Sequence, residues 1–116
     1  TNPLYYDSTT FEIRYNSSSR RFKENIQNIN IDTSKVLQII PKEFNSINNS
    51  NDFVPIGYIA EELFNIEPHF ATFGRDGLIE GVNVAIINSC VLEEVKKNRL
   101  QLIELQKEIE NLKKLL

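Results

Sequence analysis

NVAIINSCVLEEVKKNRLQLIELQKEIENLKKLL, residues 83–116, runs without a glycine or a proline. Val84, Asn88, Val91, Val95, Asn98, Leu102, Leu105, Ile109, Leu112 and Leu116 follow one another at alternating spacings of four and three. That spacing is a heptad register, with a positions at 88, 95, 102, 109 and 116 and d positions at 84, 91, 98, 105 and 112. The g-to-following-e pairs are Glu94–Arg99, Gln101–Gln106 and Glu108–Lys113; none is like-charged, which suits parallel chains. Asn88 and Asn98 interrupt the apolar seam, and polar seam residues cost stability while fixing register and strand number. A helix of about 50 Å, at 1.5 Å per residue, overruns the core a chain this short can build. Its last part is therefore expected to meet another helix, and the register alone suits two, three or four strands.

Upstream of the helix the pattern changes to short strands and turns. Gly74-Arg75-Asp76-Gly77 is turn chemistry, with residues 78–82 as the returning strand. Residues 55–60 read as a strand entering a short helix over 61–64, and the Asn- and Ser-rich stretch 44–52 as a loop between two strands. Asp32-Thr33-Ser34 is placed to cap a short helix carrying Val36, Leu37, Ile39 and Ile40 and ended by Pro41. Residues 4–6 and 11–15 read as two strands around the turn Asp7-Ser8-Thr9-Thr10; Phe11, Ile13 and Tyr15 alternate with Glu12 and Arg14. A lone hairpin is marginal in water, so this one is expected to join a larger upstream sheet. The fold class expected is α+β: a small antiparallel sheet with short helices, then a long C-terminal helix.

Composition narrows the function. The chain has 116 residues, 41% hydrophobic and 25% charged, which fits one small globular domain. Its net charge of −3 gives no electrostatic footprint for nucleic acid or an anionic membrane surface, and neither partner is expected. No apolar run approaches a membrane span and the opening residues carry no signal-peptide pattern, so a longer chain upstream is expected. The one cysteine, Cys90, and the one histidine, His69, lack ligand-spaced partners; no disulfide, metal or cofactor is expected. His69 reads as a loop or surface residue, Cys90 as a helix-packing residue, and the adjacent Glu61 and Glu62 as capping or solvating their helix.

The one constellation with chemical content is Ser18 and Lys23, five residues apart. A serine hydroxyl is a poor nucleophile until a base takes its proton. A lysine serves as that base where desolvation or neighbouring cations keep it neutral, and Arg20 and Arg21 are the cations at hand. Ser17, Ser18 and Ser19 stand in a row, and the five-residue offset to Lys23 favours Ser18.

Ser18-Ser19-Arg20-Arg21-Phe22-Lys23-Glu24-Asn25-Ile26 resembles the opening motif of the endosialidase-type intramolecular chaperones, Ser-Asp-x-Arg-hydrophobic-Lys-x-x-Ile. That family occurs at the C-termini of phage tail spikes and fibres and in myelin regulatory factor proteins. Downstream, Gly57-Tyr58-Ile59-Ala60-Glu61-Glu62-Leu63 is similar to the family's Gly-Phe-Ile-Ala-Gln-Glu-Val. Asp76-Gly77 followed by Gly81-Val82-Asn83 is similar to its turn before the long helix. Ser19 departs from the usual aspartate, Glu61 from the usual glutamine, and Val84 stands where an aromatic is common. The resemblance implies a homotrimer that helps an upstream β-rich fibre or spike segment fold, then cuts itself free. It places the cut at the Ser17–Ser18 bond, with Ser18 as nucleophile and Lys23 as general base. Residues 1–17 would stay with the client and 18–116 would leave as the chaperone, with 83–116 as a parallel trimeric coiled coil. It further implies assembly of a viral fibre precursor in the host cytoplasm. The alternative on the same fold is a non-cleaving trimerisation and attachment cap.

Overall fold

The computed structural model describes the strands at 4–7 and 12–15 and the whole of residues 18–116. The chain ends in one α-helix, Val84–Lys114, here called α2. Asn83 caps it, its side-chain oxygen accepting from the Ile86 N–H at 3.1 Å, and Lys113 and Lys114 complement the dipole in the last turn.

The core packs on the first turns of α2. Ile87 and Cys90 join Leu63, Phe70 and Val36 in a small core, with Ile31, Ile39, Tyr58, Ile66, Val82 and Ile86 around it. Leu63 comes from a shorter helix, α1 (Ala60–Ile66), whose first turn carries Glu61 and Glu62 where the helix dipole favours negative charge. Glu67 ends α1 and starts the 3-10 turn Pro68–Phe70. Proline at the first position suits that start, and the turn delivers Phe70 into the core with no solvent exposure. A second 3-10 helix, Thr33–Gln38, buries Thr33 and Val36. Its cap is Asp32, which accepts from the Ser34 hydroxyl at 2.6 Å and the Ser34 N–H at 3.1 Å. These two bonds hold the Asp32 carboxyl below its usual range. The helix ends three residues before Pro41.

The strands are β1 (Leu4–Asp7), β2 (Glu12–Tyr15), β3 (Lys42–Asn45), β4 (Phe53–Gly57), β5 (Ala71–Phe73) and β6 (Ile79–Val82). They pair only with their sequence neighbours, as three separate two-stranded antiparallel ribbons. The α+β class holds, but the single small sheet expected from sequence does not form, because helical segments intervene between the hairpins. The β5–β6 ribbon positions α2: Ala71 pairs with Val82, and the Asn83 N–H donates to the Phe70 carbonyl at 2.8 Å. Its turn uses Gly77 at φ 79°, a left-handed conformation that glycine adopts without strain. In the β3–β4 ribbon a side chain at Gly57 would collide with Phe44, whose ring carbon lies 2.6 Å from where a Cβ would stand. The turn expected at 8–10 and Phe11 lie outside the described residues.

Candidate active site

Fully extended, five residues span about 17 Å, far too much for Ser18 and Lys23 to meet. One 3-10 turn, Arg20–Phe22, closes that distance, with the Phe22 N–H donating to the Ser19 carbonyl at 3.1 Å and the Lys23 N–H to that of Arg20 at 3.0 Å. Ser19 and Lys23 flank the turn in extended conformations. Their geometry brings Lys23 Nζ to 2.8 Å from Ser18 Oγ, within hydrogen-bond reach. Two residues on, Asn25 sits at φ 54° and redirects the chain. Asparagine is among the few non-glycine residues at ease there. Sequence reading passed over Asn25; its signal was a small polar side chain between charged and apolar neighbours.

The surroundings are open. Residues 18–30 are all exposed, including the apolar Phe22 (61%), Ile26 (53%) and Ile29 (51%). The Arg21 guanidinium lies 4.6 Å from the centre of the Phe22 ring, a cation–π stack. In a protonated state Lys23 donates to the serine oxygen, whereas activation needs the reverse: a neutral amine accepting the hydroxyl proton. Ser17, whose carbonyl is the expected point of attack, lies outside the described residues.

A second polar cluster stands under the core and clamps it. Glu67 accepts from the His69 N–H at 3.3 Å and lies 2.7 Å from His69 Nδ1 and 3.4 Å from Lys35 Nζ. This ties the 3-10 helices at 33–38 and 68–70 together. The His69 side chain, opposed by burial and aided by the His69 N–H and Lys35, holds the Glu67 carboxyl below the ordinary 4.5. A carboxylate depressed in the folded state contributes stability that is complete above its unfolded value and lost as pH falls through the folded value. Unfolding followed from pH 7 downward should therefore show an acid loss beginning near pH 4.5 that Glu67→Gln makes shallower. An unchanged acid limb in the variant would remove Glu67 from that role.

The helix side of the clamp corrects one expectation. Glu94, expected to face Arg99 of another chain, is buried beneath its own domain and pairs with Lys97 at 3.7 Å. Lys97 in turn donates to Thr33 Oγ1 at 2.9 Å. Cys90 is 1% exposed, and burial, with Glu67 and Glu94 adding, pushes its thiol up. A raised thiol in an apolar site is inert packing. Glu62 reaches Lys42 at 3.8 Å across the surface. Among the described residues no three His, Cys, Asp or Glu side chains gather as metal ligands.

The a/d seam of α2 points away from all of this. The domain covers Ile87, Cys90 and Glu94, which are g and c positions. Val84, Val91, Val95, Leu102, Leu105, Ile109 and Leu112 all remain 44–62% exposed. This apolar stripe along α2, interrupted at Asn88 and Asn98, has no partner among the described residues.

Residues 18–73 match the model of the peptidase family described as chaperone of endosialidase. No curated protein and no solved structure gives a significant match. The matched stretch opens on Ser18, takes in Lys23, α1 and the 3-10 helices at 33–38 and 68–70, and ends with strand β5, short of α2. Residues 18–73 of this chain are an endosialidase-type chaperone domain.

Proposed function

We propose that the chain is the C-terminal intramolecular chaperone of a viral fibre or spike protein, acting as a homotrimer and releasing itself by autoproteolysis between Ser17 and Ser18. The observation that carries this reading is the 2.8 Å contact between Lys23 Nζ and Ser18 Oγ at the start of the family match. In the reaction, neutral Lys23 takes the hydroxyl proton as Ser18 Oγ attacks the Ser17 carbonyl carbon. The tetrahedral intermediate collapses as the Ser18 nitrogen leaves, accepting a proton from the Lys23 ammonium. An ester then links Ser17 to Ser18 Oγ. Water hydrolyses it, restoring the hydroxyl and leaving a carboxylate on Ser17 and a free amine on Ser18. Residues 1–17 stay with the β-rich client, and 18–116 depart.

Trimerisation is supported by the exposed seam of α2, which lies beside the face already committed to the domain. Three helices packed through a and d positions bury that stripe in parallel register. Coupling the cut to assembly follows from the exposure of the Ser18–Lys23 segment, which a single chain leaves wet. Cleavage then removes the chaperone from a folded client and leaves it kinetically trapped. Assembly in the host cytoplasm as a fibre precursor belongs to the same proposal.

Intact mass under denaturing conditions tests it, on the chain expressed behind its upstream segment. The original chain should split at Ser17–Ser18. Ser18→Ala and Lys23→Ala should stay whole, slowed by roughly 100-fold or more, the range for loss of a general base. Chains that are all whole yet trimeric would make this a permanent attachment cap.

A further inference from the structure

We propose that the trimer binds a weakly hydrated monovalent anion, of chloride or bromide size, on its axis between three copies of Asn98. This rests on the trimeric reading above. Asn98 occupies a d position between the apolar seam residues Val95 and Leu102. Among the described residues it makes no side-chain hydrogen bond, so assembly would carry three amides out of water with no partner supplied by their own chains. A buried amide left unpaired is costly.

Symmetry limits how that cost is met. A three-fold axis presents the same atom of each amide to the centre. Three converging oxygens repel one another, whereas three converging N–H groups form a ring of donors that an anion satisfies. Local charge selects the second arrangement. Lys96, Lys97 and Arg99 flank Asn98 directly. Glu93 pairs with Lys96 at 3.3 Å and Glu94 with Lys97 at 3.7 Å, which leaves Arg99 without an ion-pair partner among the described residues. The surroundings are thus net positive, and the apolar layers on either side favour an anion that sheds its water readily. Asn88, the other polar seam residue, has no charged residue from 84 to 92 and lies beside Ile87, packed on the domain. It lacks the field that would hold an anion.

The test uses the chain itself, Asn98→Val and Asn88→Val. Sedimentation equilibrium gives the assembly state, and thermal unfolding of the helix signal is followed in sodium bromide against sodium glutamate at matched ionic strength. The original chain and Asn88→Val should gain about 2 °C per tenfold bromide above the dissociation constant, taking the entropy of unfolding of the whole trimer. Asn98→Val should be trimeric and indifferent to the anion. Crystals of the unsubstituted chain grown in bromide should show an anomalous peak on the axis at the Asn98 layer, a readout that needs no variant. A trimer whose stability follows ionic strength alone, or an axis without bromide, overturns the site and leaves the trimer standing. A chain that is not trimeric overturns both.

Discussion

Leu102→Asp combined with Leu105→Asp leaves the chain monomeric in solution and uncut. Both leucines are more than half exposed in the single chain, at 60% and 53%, and lie beyond the last residue of α2 that the domain covers. Within one chain the change costs only helix propensity, about 0.5 kcal/mol per site. In the assembled state it sets two carboxylates from every chain into adjacent layers of a dry seam. Unpaired buried charges cost several kcal/mol each, and like charges around an axis add to that. The asymmetry is the value of the experiment, because a folding defect in the domain does not accompany it. Sedimentation equilibrium reads the assembly and intact mass reads the cut. A double variant that stays trimeric would show that the seam is not the interface. One that is monomeric and still cut at the original rate would show that the Ser18–Lys23 site is complete in a single chain, and the coupling of cleavage to assembly would fall.

How much of this was legible beforehand follows the range of the interactions. Helix α2 was legible because the absence of Gly and Pro and the seam spacing are both local. The turn at Gly74–Gly77 was legible for the same reason, since a left-handed position at Gly77 is written in the residue type. The approach of Lys23 to Ser18 was to be expected only within the family motif; the spacing alone carries little, because the 3-10 turn that joins them has no strong local signature. The separation of the strands into three ribbons was not legible, since hairpin-to-hairpin pairing is a long-range choice that short strands do not encode. Glu94 shows a different failure. Heptad bookkeeping assigns one face of the helix to the seam and treats the rest as solvent. Ile86, Ile87 and Cys90 lie off that seam and mark a second buried face, and Glu94 falls on it four residues after Cys90. Two overlapping faces on one helix are visible only when both are sought.

Phe70→Ala removes the ring at the centre of the core and is expected to unfold the domain at ordinary temperatures. The side chain is fully buried, and Leu63, Ile87, Cys90 and Val36 share the cluster it belongs to. Truncating a buried phenylalanine costs about 3–5 kcal/mol, part transfer and part cavity. Few residues are buried here, so the neighbours have little other packing to fall back on, and the upper half of that range applies. For a domain of this size the loss lowers the unfolding temperature by roughly 15–30 °C. In residues 18–116, which hold no tryptophan and no other tyrosine, the fluorescence of Tyr58, which packs on the cluster, reads the transition. The ring also anchors the ribbon that launches α2, because the Phe70 carbonyl accepts from the Asn83 N–H at the start of the helix. That backbone bond survives in the variant, so loss of the Tyr58 transition with the helical signal retained would locate the damage in side-chain packing. A shift of only a few degrees would mean that the assembled protein is held chiefly by α2, with the domain contributing little to its stability.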